Sequence, residues 1–165
     1  MNLPIPKESG TLLLVFGEGG HAAAMHRLVR RLEIQNIEAV QLREYGAKAF
    51  DSLPDYPTYR IMPKRTGIWR NLISPFRMII NAIVVVKIFI KHKVSFILTT
   101  GPIIALLPCA IGKFLGIQCI FVESWARFSS ISRTGKMLKL LGVTIYYQNK
   151  ELASLLPKET FCGRL

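Results

Sequence analysis

The apolar positions of this chain fall into short continuous runs separated by amphipathic stretches. Thr11-Leu12-Leu13-Leu14-Val15-Phe16 is an apolar run of strand length, and it passes directly into Gly17-Glu18-Gly19-Gly20-His21 and the small residues Ala22, Ala23 and Ala24. Met25, Leu28, Val29, Leu32 and Ile34 then recur at helical spacing among Arg27, Arg30, Arg31 and Glu33, which predicts an amphipathic helix ending near Asn36. Ile37 to Leu42 reads as a second strand. A strand, a helix and a second strand in this order imply a right-handed crossover between parallel strands, hence an open α/β sheet.

Arg43 to Pro57 reads as loop, and Thr58 to Met62 as a short strand ahead of the basic loop Pro63 to Arg70. Asn71 to Lys91 is helical and apolar almost all round, relieved by Ser74, Arg77, Asn81 and Lys87. Val94 to Thr99 is the next strand. It ends in Thr100-Gly101-Pro102 before an apolar helix from Ile104 to Leu115, which Gly116 closes. Gln118 to Val122 is a further buried strand and ends in Glu123. The polar loop that follows holds Ser124, Trp125, Arg127, Ser132, Arg133, Thr134, Gly135 and Lys136. A helix through Met137, Leu138, Leu140 and Leu141, a strand Val143 to Tyr147 and a short helix around Glu151 to Leu156 complete the pattern. The fold class expected is a Rossmann-like open, mostly parallel α/β sheet with helices on both faces, in one domain over residues 1–165.

Charge sharpens this picture because of where it sits. The net charge is +12, and Tyr56 to Val122 carries nine Lys or Arg residues and no carboxylate at all. Such a tract suits an anionic surface. Its long aliphatic helix favours lipid headgroups over nucleic acid, which has no use for that much apolar surface. Met78 to Ile90, the cleanest apolar part, is shorter than the about 20 residues a spanning helix needs. The two readings left are a helix buried against the sheet and a helix whose outer face enters the membrane interface, and one helix can do both. The membrane region expected covers residues 60–93. Lys64, Arg65, Arg70 and Arg77 at one end and Lys91, His92 and Lys93 at the other would touch phosphates, and Ile73, Phe76, Ile80, Ile83 and Val84 would meet lipid. No secretory signal opens the chain, which favours the cytosol. The three cysteines, Cys109, Cys119 and Cys162, lack metal-type spacing, so reduced thiols are expected.

The glycine turn after the first strand carries the most specific chemistry. Glycines let main-chain N–H groups approach a ligand closely, and a helix N-terminus favours negative charge, so phosphate is the natural guest. Ligands in open α/β sheets bind beyond the carboxyl ends of the strands. If the strand order reverses between the first strand and Val94 to Thr99, Gly101 and the Gly17 loop flank one crevice. A dinucleotide-binding reductase also fits in part, since Gly17-x-Gly19-x-x-Ala22 meets the relaxed fingerprint and Arg43 or Glu44 follows the second strand.

Three motifs in order at successive strand ends resemble one family. They are Gly17-x-Gly19-Gly20-His21, Thr100-Gly101-Pro102, and Val122-Glu123-Ser124-x-Ala126-Arg127 followed by Ser132-x-Thr134-Gly135-Lys136. The chain resembles the Alg-fourteen-like oligosaccharide-biosynthesis proteins, with the bacterial PssD-type polysaccharide proteins among them. The resemblance implies the N-terminal, acceptor-side half of a GT-B glycosyltransferase such as MurG, active only with a separate small donor-binding subunit. It also implies a UDP-sugar donor, a lipid-linked polyprenyl diphosphate acceptor, and peripheral attachment at the cytoplasmic membrane face, with no cofactor, no metal and no nucleic acid. Trp125 stands where the family commonly has Phe.

On that reading His21 is the leading candidate for the base that accepts the acceptor hydroxyl proton, its alternative being a helix cap or phosphate ligand. Glu123 is the second candidate base. Its alternative is a structural carboxylate neutralised by Arg127 or by N–H groups of its own loop. Gly17, Gly19, Gly20, Gly101, Pro102, Ser124, Arg127, Arg133 and Lys136 would bind substrate phosphate, although tight turns and a solvated basic loop also account for them. A non-catalytic membrane adaptor that recruits the transferring enzyme is the remaining alternative.

Overall fold

The computed structural model describes residues 4, 10–32, 37–44, 56–61, 70–157 and 159–163. Seven strands in these residues form one sheet in the order β3-β2-β1-β4-β5-β6-β7, every neighbouring pair parallel. They are β1 Thr11–Phe16, β2 Ala39–Glu44, β3 Thr58–Ile61, β4 Val94–Gly101, β5 Gln118–Val122, β6 Thr144–Tyr147 and β7 Thr160–Phe161. The helices are α1 Gly20–Arg31, α2 Arg70–His92, α3 Leu106–Phe114 and α4 Arg133–Leu140, with 3-10 turns at Ile103–Ala105 and Lys150–Ser154.

β1 is wholly buried because helices cover both of its faces, which is why it reads as a continuous apolar run and not as an alternation. Leu12, Leu14 and Phe16 face α1 and pack with Met25, Leu28, Val29, Phe96 and Leu98. Leu13 and Val15 face the opposite layer and pack with Val85 and Ile88 of α2, Cys109 of α3 and Leu138 of α4. The small Ala22 and Ala24 are buried on the α1 side of the sheet.

α2 is two-faced. Val85 and Ile88 are fully buried, while Phe76, Ile79, Ile83, Val86 and Ile90 lie exposed on the outer side. Val84 is half-buried and packs against the core beside the fully buried Val85. His92 is likewise turned inward, its Nε2 2.9 Å from the Tyr59 hydroxyl. Lys64 and Arg65 lie outside the described residues, as do the side chains of Arg70 and Ile73. No helix among the described residues is long and apolar enough to cross a membrane.

Most elements fall where the sequence pattern places them, with shifts at the strand ends. β2 runs to Glu44 and not to Leu42, since Arg43 is buried at the carboxyl edge of the sheet despite its charge. β4 continues through Thr100 to Gly101. β7 is an addition, a two-residue edge strand too short to show periodicity. The expected end of α1 near Asn36 lies outside the described residues. All three cysteines are free.

Candidate functional site

The strand order reverses between β1 and β4: α1 leads from β1 toward β2, while β4 leads through α3 to β5 on the other side. Phe16 and Gly101, the last residues of the two strands, are register partners. The glycine turn and the Thr100-Gly101-Pro102 segment therefore stand side by side at the carboxyl edge of the sheet, where such folds open a crevice. Gly101 has φ +89°, a left-handed conformation that favours glycine. Gly17 is required for space, since a Cβ there would lie 2.6 Å from Pro102 Cδ and 2.9 Å from Glu44 Oε2.

His21 joins the two turns. Its Nδ1 lies 2.7 Å from the Thr100 carbonyl oxygen, and the Thr100 hydroxyl donates back to the His21 carbonyl at 2.8 Å. A carbonyl only accepts, so Nδ1 carries the proton of that bond and Nε2 of the neutral ring is the proton acceptor. The ring is half-buried in the first turn of α1. The N-cap of that helix is Gly19, which has no side chain to bond the first amides.

Glu44 enters this corner from the end of β2. Burial, and then the neighbouring Glu18 charge, push its carboxyl above the usual range, while the Glu18 main-chain N–H and His21 pull it back. The carboxylate thus turns onto the Gly17 loop, which disfavours the ribose contact that a dinucleotide site would require of it.

The second corner is the loop from 123 to 132. Glu123 is 1% exposed. Its Oε1 accepts from the Ser124 N–H at 2.9 Å and its Oε2 from the Ser132 N–H at 2.8 Å, so both oxygens hold main-chain donors of their own loop. The Ser132 hydroxyl accepts from the Gly135 N–H at 2.9 Å and caps α4. A Cβ on Gly135 would lie 2.8 Å from Glu123 Oε2, so glycine there makes room for the carboxylate. Just after β6, Gln148 Nε2 donates to the Glu123 carbonyl at 2.8 Å. Asn149 Nδ2 donates to the Trp125 and Arg127 carbonyls at 2.6 Å each.

Of the residues expected to bind substrate, Gly17, Gly19, Gly20, Gly101 and Pro102 are brought together with His21 at the first corner. Ser124 is held in the second, its hydroxyl accepting from the Ala126 N–H at 3.3 Å. Arg127 is exposed on that loop, whereas Arg133 and Lys136 are exposed on α4, whose Gly135 and Leu138 face the core. The sequence carries no signal for Gln148 and Asn149, an amide pair just after β6 that donates to main-chain carbonyls. It carries none either for Phe121, whose buried ring approaches both Gly101 and Gly135 and so joins the two corners. Among the described residues, no group of three His, Cys, Asp or Glu side chains is placed to share a metal ion.

An all-parallel sheet with its polar constellation at the reversal of strand order is a Rossmann-like α/β fold. Among solved structures it is similar to MurG of Acinetobacter baumannii (TM-score 0.61, 16% identity, covering 84% of this chain and 40% of that one). It is also similar to a Listeria monocytogenes chain described as a UDP-N-acetylglucosamine 2-epimerase (TM-score 0.66, 14% identity, 91% and 42%). The chain thus spans about two fifths of either structure. The family described as "Oligosaccharide biosynthesis protein Alg14 like" matches residues 12–165, and the chain belongs to it. Relatives include the UDP-N-acetylglucosamine transferase subunit ALG14 of Mus musculus, 27% identical over 97% of this chain and 85% of that protein. The subunit of the same name from Yarrowia lipolytica is 27% identical over 97% and 83%.

Proposed function

We propose that this chain is the acceptor-side subunit of a two-subunit glycosyltransferase. Together with a small donor-binding partner it transfers a sugar from a UDP-sugar, N-acetylglucosamine by analogy with the relatives' names, to a lipid-linked diphosphate acceptor at the cytoplasmic membrane face. The observation that carries the reading is His21: one ring nitrogen is anchored on the Thr100 carbonyl and the other is left as a proton acceptor beside the glycine turns.

In the transfer the acceptor hydroxyl oxygen attacks the anomeric carbon, the bond from that carbon to the UDP oxygen breaks, and His21 Nε2 takes the hydroxyl proton. The amides at Gly19, Gly20 and the first turn of α1 hold acceptor phosphate, with Arg127 supplying charge from the second corner. Glu123 acts as a positioning residue, because both of its oxygens already hold the loop that presents Ser124 and Arg127. The outer side of α2, apolar with Lys87 and Lys91 and without a carboxylate, rests in the membrane interface and keeps the subunit at its lipid substrate.

The test is sugar transfer to membrane-extracted acceptor by this chain, its donor-binding partner, and the two mixed, with a panel of UDP-sugars. Transfer by the mixture alone, abolished by His21→Ala without loss of partner binding, supports the reading. Full transfer by the His21→Ala mixture would instead make the chain an adaptor that only recruits the enzyme.

A further inference from the structure

α2 is not the only helix with an oily outer side. On the same face of the sheet, α3 ends in Phe114, 90% exposed, and α4 carries Leu140, 88% exposed. Both exceed Phe76 and Ile90 of α2, at 71% and 76%. Such side chains are costly to leave in water, and clusters of them mark contact surfaces. The three helices pack side by side, α2 on α3 and α3 on α4, so their outer sides form one layer. None of the three contains an Asp or Glu, and Lys87, Lys113 and Lys136 stand exposed among the apolar residues.

The other face of the sheet provides a contrast. There α1 is just as basic, exposing Arg27, Arg30 and Arg31, but no large apolar side chain of α1 is exposed. Among the described residues of these helices, positive charge is thus common to both faces, while large apolar exposure belongs to one. Glu159 pairs with Lys139 of α4 at 2.7 Å, and the cations Lys87, Lys113 and Lys136 flanking aliphatic and aromatic side chains complement an anionic lipid surface, where the side chains enter the acyl boundary and the cations meet phosphates.

We infer that the bilayer contact is the outer surface of the whole α2-α3-α4 layer, with Phe114 and Leu140 as anchors of their own. This rests on the membrane reading of α2 and extends it to an orientation. Three contact helices on one side of a sheet lay the sheet along the bilayer, so the carboxyl edge with His21 opens sideways at the height of the lipid phosphates.

The experiment is flotation of the full chain with vesicles of equimolar phosphatidylglycerol and phosphatidylethanolamine, comparing the parent, Ile83→Ser in α2, and the double variant Phe114→Ser/Leu140→Ser. Melting curves verify that each variant is folded, and Phe114→Leu, which keeps an apolar anchor, serves as a second control that should bind as the parent does. The double variant is expected to lose about tenfold in vesicle partitioning, comparable to Ile83→Ser. Parental binding by the double variant beside a loss with Ile83→Ser would overturn the extended footprint and leave the α2 reading standing. Parental binding by both would overturn the two together. Parental flotation with a dimer-to-monomer change in sedimentation would assign Phe114 and Leu140 to a contact between copies of the chain.

Discussion

His21 and Thr100 are bonded to each other twice, ring nitrogen to carbonyl oxygen at 2.7 Å and hydroxyl to carbonyl oxygen at 2.8 Å. The pair ties the start of α1 to the end of β4 across 79 residues of chain, and it sets the imidazole in one tautomer and one orientation. Thr100→Val removes the hydroxyl but keeps the carbonyl that holds the ring. Transfer by the reconstituted complex is expected to fall by less than about tenfold for Thr100→Val, and by about 100-fold or more for His21→Ala. The initial rate at saturating acceptor is the quantity to measure.

Glu44 makes stability depend on pH with a definite sign. Its carboxyl is raised in the folded chain, mainly by burial, so the folded state binds more protons than the unfolded state across the carboxylate range. Stability from this group is therefore present at low pH and is lost as pH rises through its folded value. Glu44→Gln still offers an oxygen to the Glu18 N–H but never ionises. Thermal melts should show the variant matching the parent near about pH 4 and melting above it near about pH 7.

Glu123 should be far less tolerant than a solvated acid. Glu123→Ala leaves the Ser124 and Ser132 N–H groups without their acceptor, at about 1–3 kcal/mol for each such loss. Gly135→Ala places a methyl against the same carboxylate and is expected to cost about 1–3 kcal/mol through overpacking. Urea unfolding of the two single variants and their combination reads this directly. The double variant should destabilise by less than the sum, because removing the carboxylate makes room for the methyl.

Asn149→Ala removes the donor shared by the Trp125 and Arg127 carbonyls. Hydrogen exchange should speed up in residues 124–132 while β1 and β4 remain protected, since the amide bonds two carbonyls of that loop.

The thiols should be quiet. Burial pushes Cys162 up to about 11, and Cys109 and Cys119 are buried. Alkylation of the native chain by iodoacetamide should stay slow at neutral pH, with the Cys162 rate rising about tenfold per pH unit to beyond about pH 10 without a plateau. All three should react at once on unfolding.

How much of this was readable in advance follows from the range of each interaction. β1, α1, β4 and β5 announce themselves because burial on both faces imposes long apolar runs, and glycine turns interrupt those runs at fixed places. Their meeting at the strand reversal also follows from the connection rules, and so His21 beside Gly101 was within reach of the sequence. The partners of Glu123 were not. Its two acceptors meet main-chain N–H groups, which every residue but proline has, so the sequence offered Arg127 and the loop amides as equal candidates. Gln148 and Asn149 were invisible for the same reason. The buried arc of α2 was not readable, because a helix apolar almost all round gives no phase until the sheet selects it.

The loop from 123 to 132 is held by bonds to its own main-chain atoms, which substitution of its outward residues leaves in place. Glu123, Gln148 and Asn149 grip backbone groups, and the side chains of Trp125, Arg127, Ser129 and Ser130 make none of those bonds while standing exposed at its surface. The loop is in effect an interchangeable insert on a fixed mount. New outward residues can be tried one at a time without unsettling the mount, so the surface of the loop can vary while the fold stays as it was.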